Sequence, residues 1–302
     1  VGRRGIYRKR RLLVATVLVL LSLIPAWLVL NQAEEQVGSR LSAGLGSSKP
    51  SVTPTVNAAS MAADQASDEL EAGILDLLAG YQGTYSVTVR ELTEWGVDVS
   101  IDGDEQKEPA STIKLFIAWA VLQLYDEGEV SLNESVGYGQ TVSSCMADMI
   151  EQSDNDCSVY LRELVGDERI NAMWQAAGYT GTEVLLDADD EYVGKVTTTD
   201  DQALLLERLE AGTALSADST ELLLDHMRDQ VWRERIPAGL PDEAEVADKP
   251  GWLETETGWT ESDAAIVWGT GTVYVLTVLG SDDALESEIA DLSAYVYASL
   301  NQ

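Results

Sequence analysis

Hydrophobic and polar positions divide the chain into stretches of different character. From Leu12 to Leu30 the sequence reads LLVATVLVLLSLIPAWLVL, without one charged side chain. A helix of that length spans about 28 Å at 1.5 Å per residue, close to the hydrocarbon thickness of a bilayer. Residues 31–66 are rich in Ser, Ala, Gly, Thr and Pro and lack an apolar period. Such a stretch cannot bury enough surface to offset its ordering entropy, so it reads as a flexible linker. Residues 67–302 carry patterned sequence throughout and suffice for one domain.

Within that domain, Asp68–Tyr81 sets Leu70, Ile74, Leu77 and Leu78 on one side of an amphipathic helix. Thr84–Leu92 and Trp95–Ile101 read as two strands of a hairpin around the polar pair Thr93-Glu94. Ser111 to Val231 is largely helical, broken at Gly128, Gly137, Gly166, Gly178 and Gly212. Glu183–Val196 interrupts it with five acids and little period, and reads as a surface loop. Strands return at Glu245–Lys249, Asp263–Trp268 and Thr272–Leu279, before a closing helix at Asp283–Leu300. This order predicts an α+β domain: an antiparallel sheet built from both chain ends, with an inserted helical subdomain.

Charge narrows the function. With Lys+Arg 19 against Asp+Glu 52, the chain carries a net charge of −33. A nucleic-acid binder is excluded, because a phosphate backbone must be met by Lys and Arg. One His and two Cys exclude a zinc site built from Cys and His alone. Arg3, Arg4, Arg8, Lys9, Arg10 and Arg11 crowd into residues 1–11, which contain no acid. Positive charge before an apolar run keeps the N-terminus cytoplasmic, so residues 12–30 are expected to be a single-pass anchor in the cell membrane with the domain outside. A cleaved signal peptide is the competing reading, though its apolar core is usually shorter.

Three short motifs could carry chemistry. Ser111-Thr112-Ile113-Lys114 opens the apolar run Leu115-Phe116-Ile117-Ala118-Trp119. A Ser in the first turn of a buried helix lies where free backbone N–H groups gather, and a Lys three residues on shares its face. An amine kept partly neutral by burial can take the hydroxyl proton. Alone, the tetrapeptide equally suits a helix cap with a snorkelling Lys. Ser153-Asp154-Asn155 follows the helical stretch Val142–Gln152. Its hydroxyl and amide can face one cleft, although Ser, Asp and Asn are also common at helix ends. Lys249-Pro250-Gly251-Trp252 couples a cation to a Gly that admits close backbone approach, and Pro-Gly is also a common turn.

Taken in this order, Ser-x-x-Lys, Ser-Asp-Asn and Lys-x-Gly resemble the penicillin-recognising serine hydrolases, class A β-lactamases among them. The likeness extends over nearly all of residues 67–302. It implies Ser111 as acylated nucleophile, Lys114 as its general base or base partner, and Ser153 as proton shuttle to the leaving nitrogen. Asn155 would bind the substrate amide, Lys249 would attract its carboxylate, and Gly251-Trp252 would flank it. The backbone N–H groups of Ser111 and Trp252 would form the oxyanion hole. The resemblance implies no metal or organic cofactor, and a substrate that is a β-lactam or a cell-wall peptide. D,D-peptidase action, or a penicillin- or muropeptide-binding module of slow turnover, are the alternative outcomes. The catalytic domain is expected to be monomeric.

Two departures stand out. Pro250 occupies a position where the family has Thr or Ser, so carboxylate recognition is expected to be remodelled. Glu183-Val184-Leu185-Leu186-Asp187 resembles the family's Glu-x-x-Leu-Asn stretch, which makes Glu183 the candidate activator of the deacylating water; an exposed acid in an acidic loop fits as well. Cys145 and Cys157 flank Ser153 and could pair outside the cytoplasm, two free thiols being the alternative. His226 reads as structural. The eight Trp residues read as dispersed core and rim positions.

Overall fold

The computed structural model describes residues 58–93 and 96–301. The expected basic segment 1–11, the membrane run 12–30 and most of the linker 31–66 lie outside the described residues. Among the described residues no helix is long and apolar enough to cross a membrane.

Helix α1 spans Ala58–Leu78, starting before the expected Asp68. Its early turns are Ala-rich, so helix propensity extends it without an apolar period to mark it. Strands β1 (Thr84–Glu91) and β2 (Asp98–Ile101) form the expected antiparallel pair. The C-terminal part supplies β5 (Glu245–Thr255), β6 (Gly258–Trp268) and β7 (Val273–Ser281). Between them lie β3 (Glu183–Leu186) and β4 (Tyr192–Val196). The large sheet runs β2-β1-β7-β6-β5 and is antiparallel throughout. Its central seam pairs β1 with β7, from Thr84↔Ser281 to Glu91↔Tyr274, and so joins the two ends of the domain.

One face of the sheet packs against α1 and the closing helix α8 (Glu286–Leu300), burying Leu70, Ile74, Val87, Leu276, Ile289 and Leu292. The other face carries the helical subdomain: α2 (Lys114–Asp126), α3 (Val142–Glu151), α4 (Asn155–Val165), α5 (Asp167–Ala177), α6 (Thr199–Glu210) and α7 (Ala217–Arg228). Helix α2 is buried at every position from Lys114 to Leu122. A helix apolar on all sides belongs in a core, and each fully buried Leu or Phe there contributes about 1.5–3 kcal/mol relative to exposure. The edge of the Tyr179 ring region packs against Phe116 and Trp119, with centroids 5.2 and 5.3 Å apart. Trp174 Nε1 donates to the Phe116 carbonyl at 3.1 Å. These contacts fix the helix that begins at the Lys of the Ser-x-x-Lys motif.

The segment Glu183–Val196 is a two-stranded hairpin, not the expected loop. Val184, Leu185, Tyr192 and Val193 favour extended backbone, while the acids collect at the tip. There Asp187 Oδ1 accepts the backbone N–H groups of Asp189 and Glu191 at 2.9 and 3.0 Å. Asn171 on α5 clamps Val184, accepting its N–H at 2.8 Å and donating to its carbonyl at 2.9 Å. Strand β5 continues past Lys249 through Pro250. It stands at the sheet edge, where the missing N–H of a Pro is tolerated.

Candidate active site

Ser111 sits in a 3₁₀ turn, Ala110–Ile113, immediately before α2. The turn is pinned from three sides. Thr112 Oγ1 donates to the Pro109 carbonyl at 2.8 Å and accepts from Gln202 Nε2 at 2.7 Å. Ser262 Oγ on β6 donates to the same carbonyl at 3.1 Å. Glu108 Oε1 accepts the Ala110 N–H at 3.0 Å, holding Ala110 at a positive φ of 49°. Strand β5 approaches closely: a Cβ on Gly251 would lie 2.5 Å from the Ser111 nitrogen. Gly at this position is therefore a steric requirement.

Lys114 opens α2 with its side chain buried. Its Nζ donates to the Ser153 carbonyl at 2.6 Å, to Asn155 Oδ1 at 2.8 Å and to Ser153 Oγ at 3.3 Å. Ser153 lies between α3 and α4 at φ 63°, a left-handed conformation rare outside Gly and common at functional turns. Asp154 caps α4 by accepting the Cys157 N–H at 2.8 Å. Cys145 and Cys157 form a disulfide, which ties α3 to α4 across this turn.

From the sheet, fully buried Lys249 donates to the same Ser153 Oγ at 2.9 Å and to the Pro250 carbonyl at 3.0 Å. Ser153 Oγ thus accepts from two amines, which leaves its own proton free to be given elsewhere. Burial pushes Lys114 down to about 8, helped by nearby Lys195 and opposed by Asp154. Burial, and then the neighbouring Lys114, push Lys249 down to about 7. Two ammonium groups crowded on one hydroxyl oxygen favour loss of a proton from the pair.

Behind Lys249, on the opposite face of the sheet, Asp248 and Asp263 are buried. Asp263 accepts the N–H groups of Ile236 and Ala264 at 3.0 and 2.9 Å. Its carboxyl is raised to about 6 by burial, and Asp248 is raised well above the usual range by burial and by Asp263.

Ser111, Lys114, Ser153, Asn155 and Trp252 line one cavity of about 350 Å³. Lys249 and Gly251 stand behind its wall, the former reaching it through Ser153. Glu183 is exposed on β3 and does not line the cavity; its neighbour Val184 does. Pro250 is buried outside the lining. Sequence reasoning missed Arg162, Tyr192 and Lys195, which also line the cavity. The spacing Asn155, Ser158, Val159, Arg162 was a legible signal, since these residues form one stripe of α4. The Trp residues are less dispersed than their spacing suggests. Trp232 and Trp252 meet with centroids 5.3 Å apart, and with Trp259 they line an open groove beside the cavity. His226 lies apart from the site, its Nδ1 2.7 Å from Glu151 Oε1.

A family model described as the β-lactamase enzyme family matches residues 69–300. The chain belongs to this family. A stretch of 79 residues is 40% identical to proteins named β-lactamase from Mycobacterium tuberculosis (strain ATCC 25177 / H37Ra) and Mycobacterium bovis (strain ATCC BAA-935 / AF2122/97). That stretch is 26% of this chain, and the match spans about a quarter, 25%, of those relatives. Among solved structures, an ancestral (GNCA) class A β-lactamase matches at TM-score 0.69 and 26% identity, over 76% of this chain and 99% of that one. PBP-A has the same fold, at TM-score 0.69 and 24% identity over 77% of this chain and 96% of its own. Within the β-lactamase family, then, the three motifs of this chain converge on one cavity, and cations from the hairpin (Lys195) and from α4 (Arg162) line it.

Proposed function

We propose that this β-lactamase family member is a serine hydrolase that opens β-lactam amides through an acyl-enzyme on Ser111. The observation that carries the reading is the shared contact of Lys114 and Lys249 with Ser153 Oγ, in the cavity that Ser111 lines. Neutral Lys114 takes the Ser111 proton as Oγ attacks the carbonyl carbon. The backbone N–H groups of Ser111 and Trp252 hold the oxyanion. The C–N bond then breaks, and Ser153, supplied by its two lysines, gives the nitrogen a proton. Asn155 binds the side-chain amide, and Lys249 supplies the positive field for the substrate carboxylate. Water finally cleaves the ester.

Among the described residues, no carboxylate side chain lines the cavity. Exposed Glu183 is a poor activator of a water beside Ser111, so the acyl-enzyme is long-lived. That favours slow turnover, as in a penicillin-binding protein. The apolar run 12–30 supports a membrane-anchored protein with its domain outside the cytoplasm, and the Cys145–Cys157 disulfide suits an oxidising compartment.

The test is intact mass over time on the full chain with excess benzylpenicillin. An adduct that persists for many minutes, and is absent from Ser111→Ala, is expected. An adduct that vanishes as hydrolysed drug accumulates would return Glu183 to consideration. The absence of any adduct would remove the β-lactam reading.

A further inference from the structure

In a chain with 52 acidic residues, the side chains lining the cavity include Lys114, Arg162 and Lys195 and, among the described residues, no acid. Lys114 is engaged with Ser153 and Asn155. Of the other two cations, Arg162 has no part in the proposed chemistry and Lys195 enters it only through the effect of its charge on Lys114. We infer that Lys195 and Arg162 form a subsite for a carboxylate carried on the acyl side of the substrate, several bonds from the amide that Ser111 attacks. The inference rests on the acyl-enzyme reading above.

The geometry supports it in three ways. Asn155, which would hold the side-chain amide, and Arg162 lie on one stripe of α4, about 10 Å apart along the axis at 1.5 Å per residue. An extended acyl side chain fixed at Asn155 therefore runs toward Arg162. The Arg162 guanidinium lies over the Tyr192 ring, 4.1 Å from its centroid, which fixes its plane. Its Nε is 3.0 Å from Asp167 Oδ1, out of line for a hydrogen bond, and the two terminal amino groups have no partner among the described residues. Those groups are the fork that matches a carboxylate. On the strand that also carries Tyr192, Lys195 Nζ meets Glu108 Oε1 at 2.9 Å, leaving further N–H donors for a ligand.

The competing role is a clamp, in which Arg162 and Lys195 only hold the hairpin to α4 and to the segment before Ser111. A matched pair of probes separates the two. Both are penicillins on the same penam nucleus, one with an adipoyl side chain ending in a carboxylate, the other with the corresponding adipamoyl chain ending in an amide. Second-order rate constants for labelling of the full chain are read by intact mass. The carboxylate compound is expected to react about fivefold faster, the ratio expected of one modest ion pair. In Lys195→Met and in Arg162→Gln the ratio is expected to fall toward one. Equal rates in the wild type would overturn the subsite while leaving the acyl-enzyme intact. A variant pair that slows both compounds alike and keeps the ratio would assign these residues to the clamp. Failure of both compounds to label wild-type protein would overturn the acyl-enzyme reading, and the subsite with it.

Discussion

The α-carbon of Gly251 packs against the backbone nitrogen of Ser111 so closely that an added methyl group would stand 2.5 Å away, and 3.0 Å from the Pro109 carbonyl. Both contacts are backbone, so neither can rotate aside. Gly251→Ala should displace the Ser111 turn from β5 and slow acylation by about 100-fold, the scale of a misplacement of about 1 Å. Rates of benzylpenicillin labelling check this, with a thermal melt to show that the variant folds.

The pH profile follows from the lysines. An amine is a base only above its pKa, and burial holds Lys114 at about 8 and Lys249 at about 7. Acylation should therefore rise as the pair loses its first proton, the other staying on Lys249, and fall where the second is lost, the profile belonging to the coupled pair. Lys195 is one cause of the depression, so Lys195→Met should raise the Lys114 pKa and move the rise to higher pH. Lys114→Met should abolish the rise. Single-turnover rates between pH 6 and 10 would measure both; a profile unmoved by either variant would remove Lys114 as the base.

Replacing both cysteines by Ser opens a cross-link of separation 12 that spans Ser153. A loop of that size is worth about 3 kcal/mol of stability in the chain-entropy account. The denaturant midpoint should fall accordingly, and acylation should slow because Ser153 loses the tie between α3 and α4. Reduction of the wild-type protein should give the same two effects.

The buried carboxylates behind Lys249 make a stability prediction with a definite sign. Asp263 is raised from its ordinary 3.8 to about 6, and Asp248 is raised well above its ordinary value by burial and by Asp263. The folded state then holds protons more tightly than the unfolded chain. The stability from these groups is present at low pH and lost as pH rises through the folded values. Asp248→Asn removes the charge that repels Asp263 and should raise stability more at pH 8 than at pH 5. The gain should shrink as pH falls, because protonation of the wild-type carboxyl removes the same charge. Denaturant titrations at the two pH values provide the comparison.

The sequence by itself determined the α+β order, the antiparallel sheet of both chain ends and the residues Ser111, Lys114, Ser153, Asn155 and Lys249. Each is written locally: strand and helix in periods of two and 3.6, the motifs in contiguous runs of three or four residues. The tertiary structure alone decided what those residues touch. Ser153 lies between the two lysines because α2, the α3–α4 turn and β5 converge there, and no local pattern encodes that meeting. The hairpin Glu183–Val196 was illegible because its acids masked short strands that gain their stability from Asn171 and the core beneath Val184. Its fold turns Val184 and Lys195 into the cavity and leaves Glu183 outside, so the hairpin contributes a Lys and no Glu to the lining. Strand alternation gives the reason: one position along the chain moves a side chain to the other face, and only packing chooses which face is in.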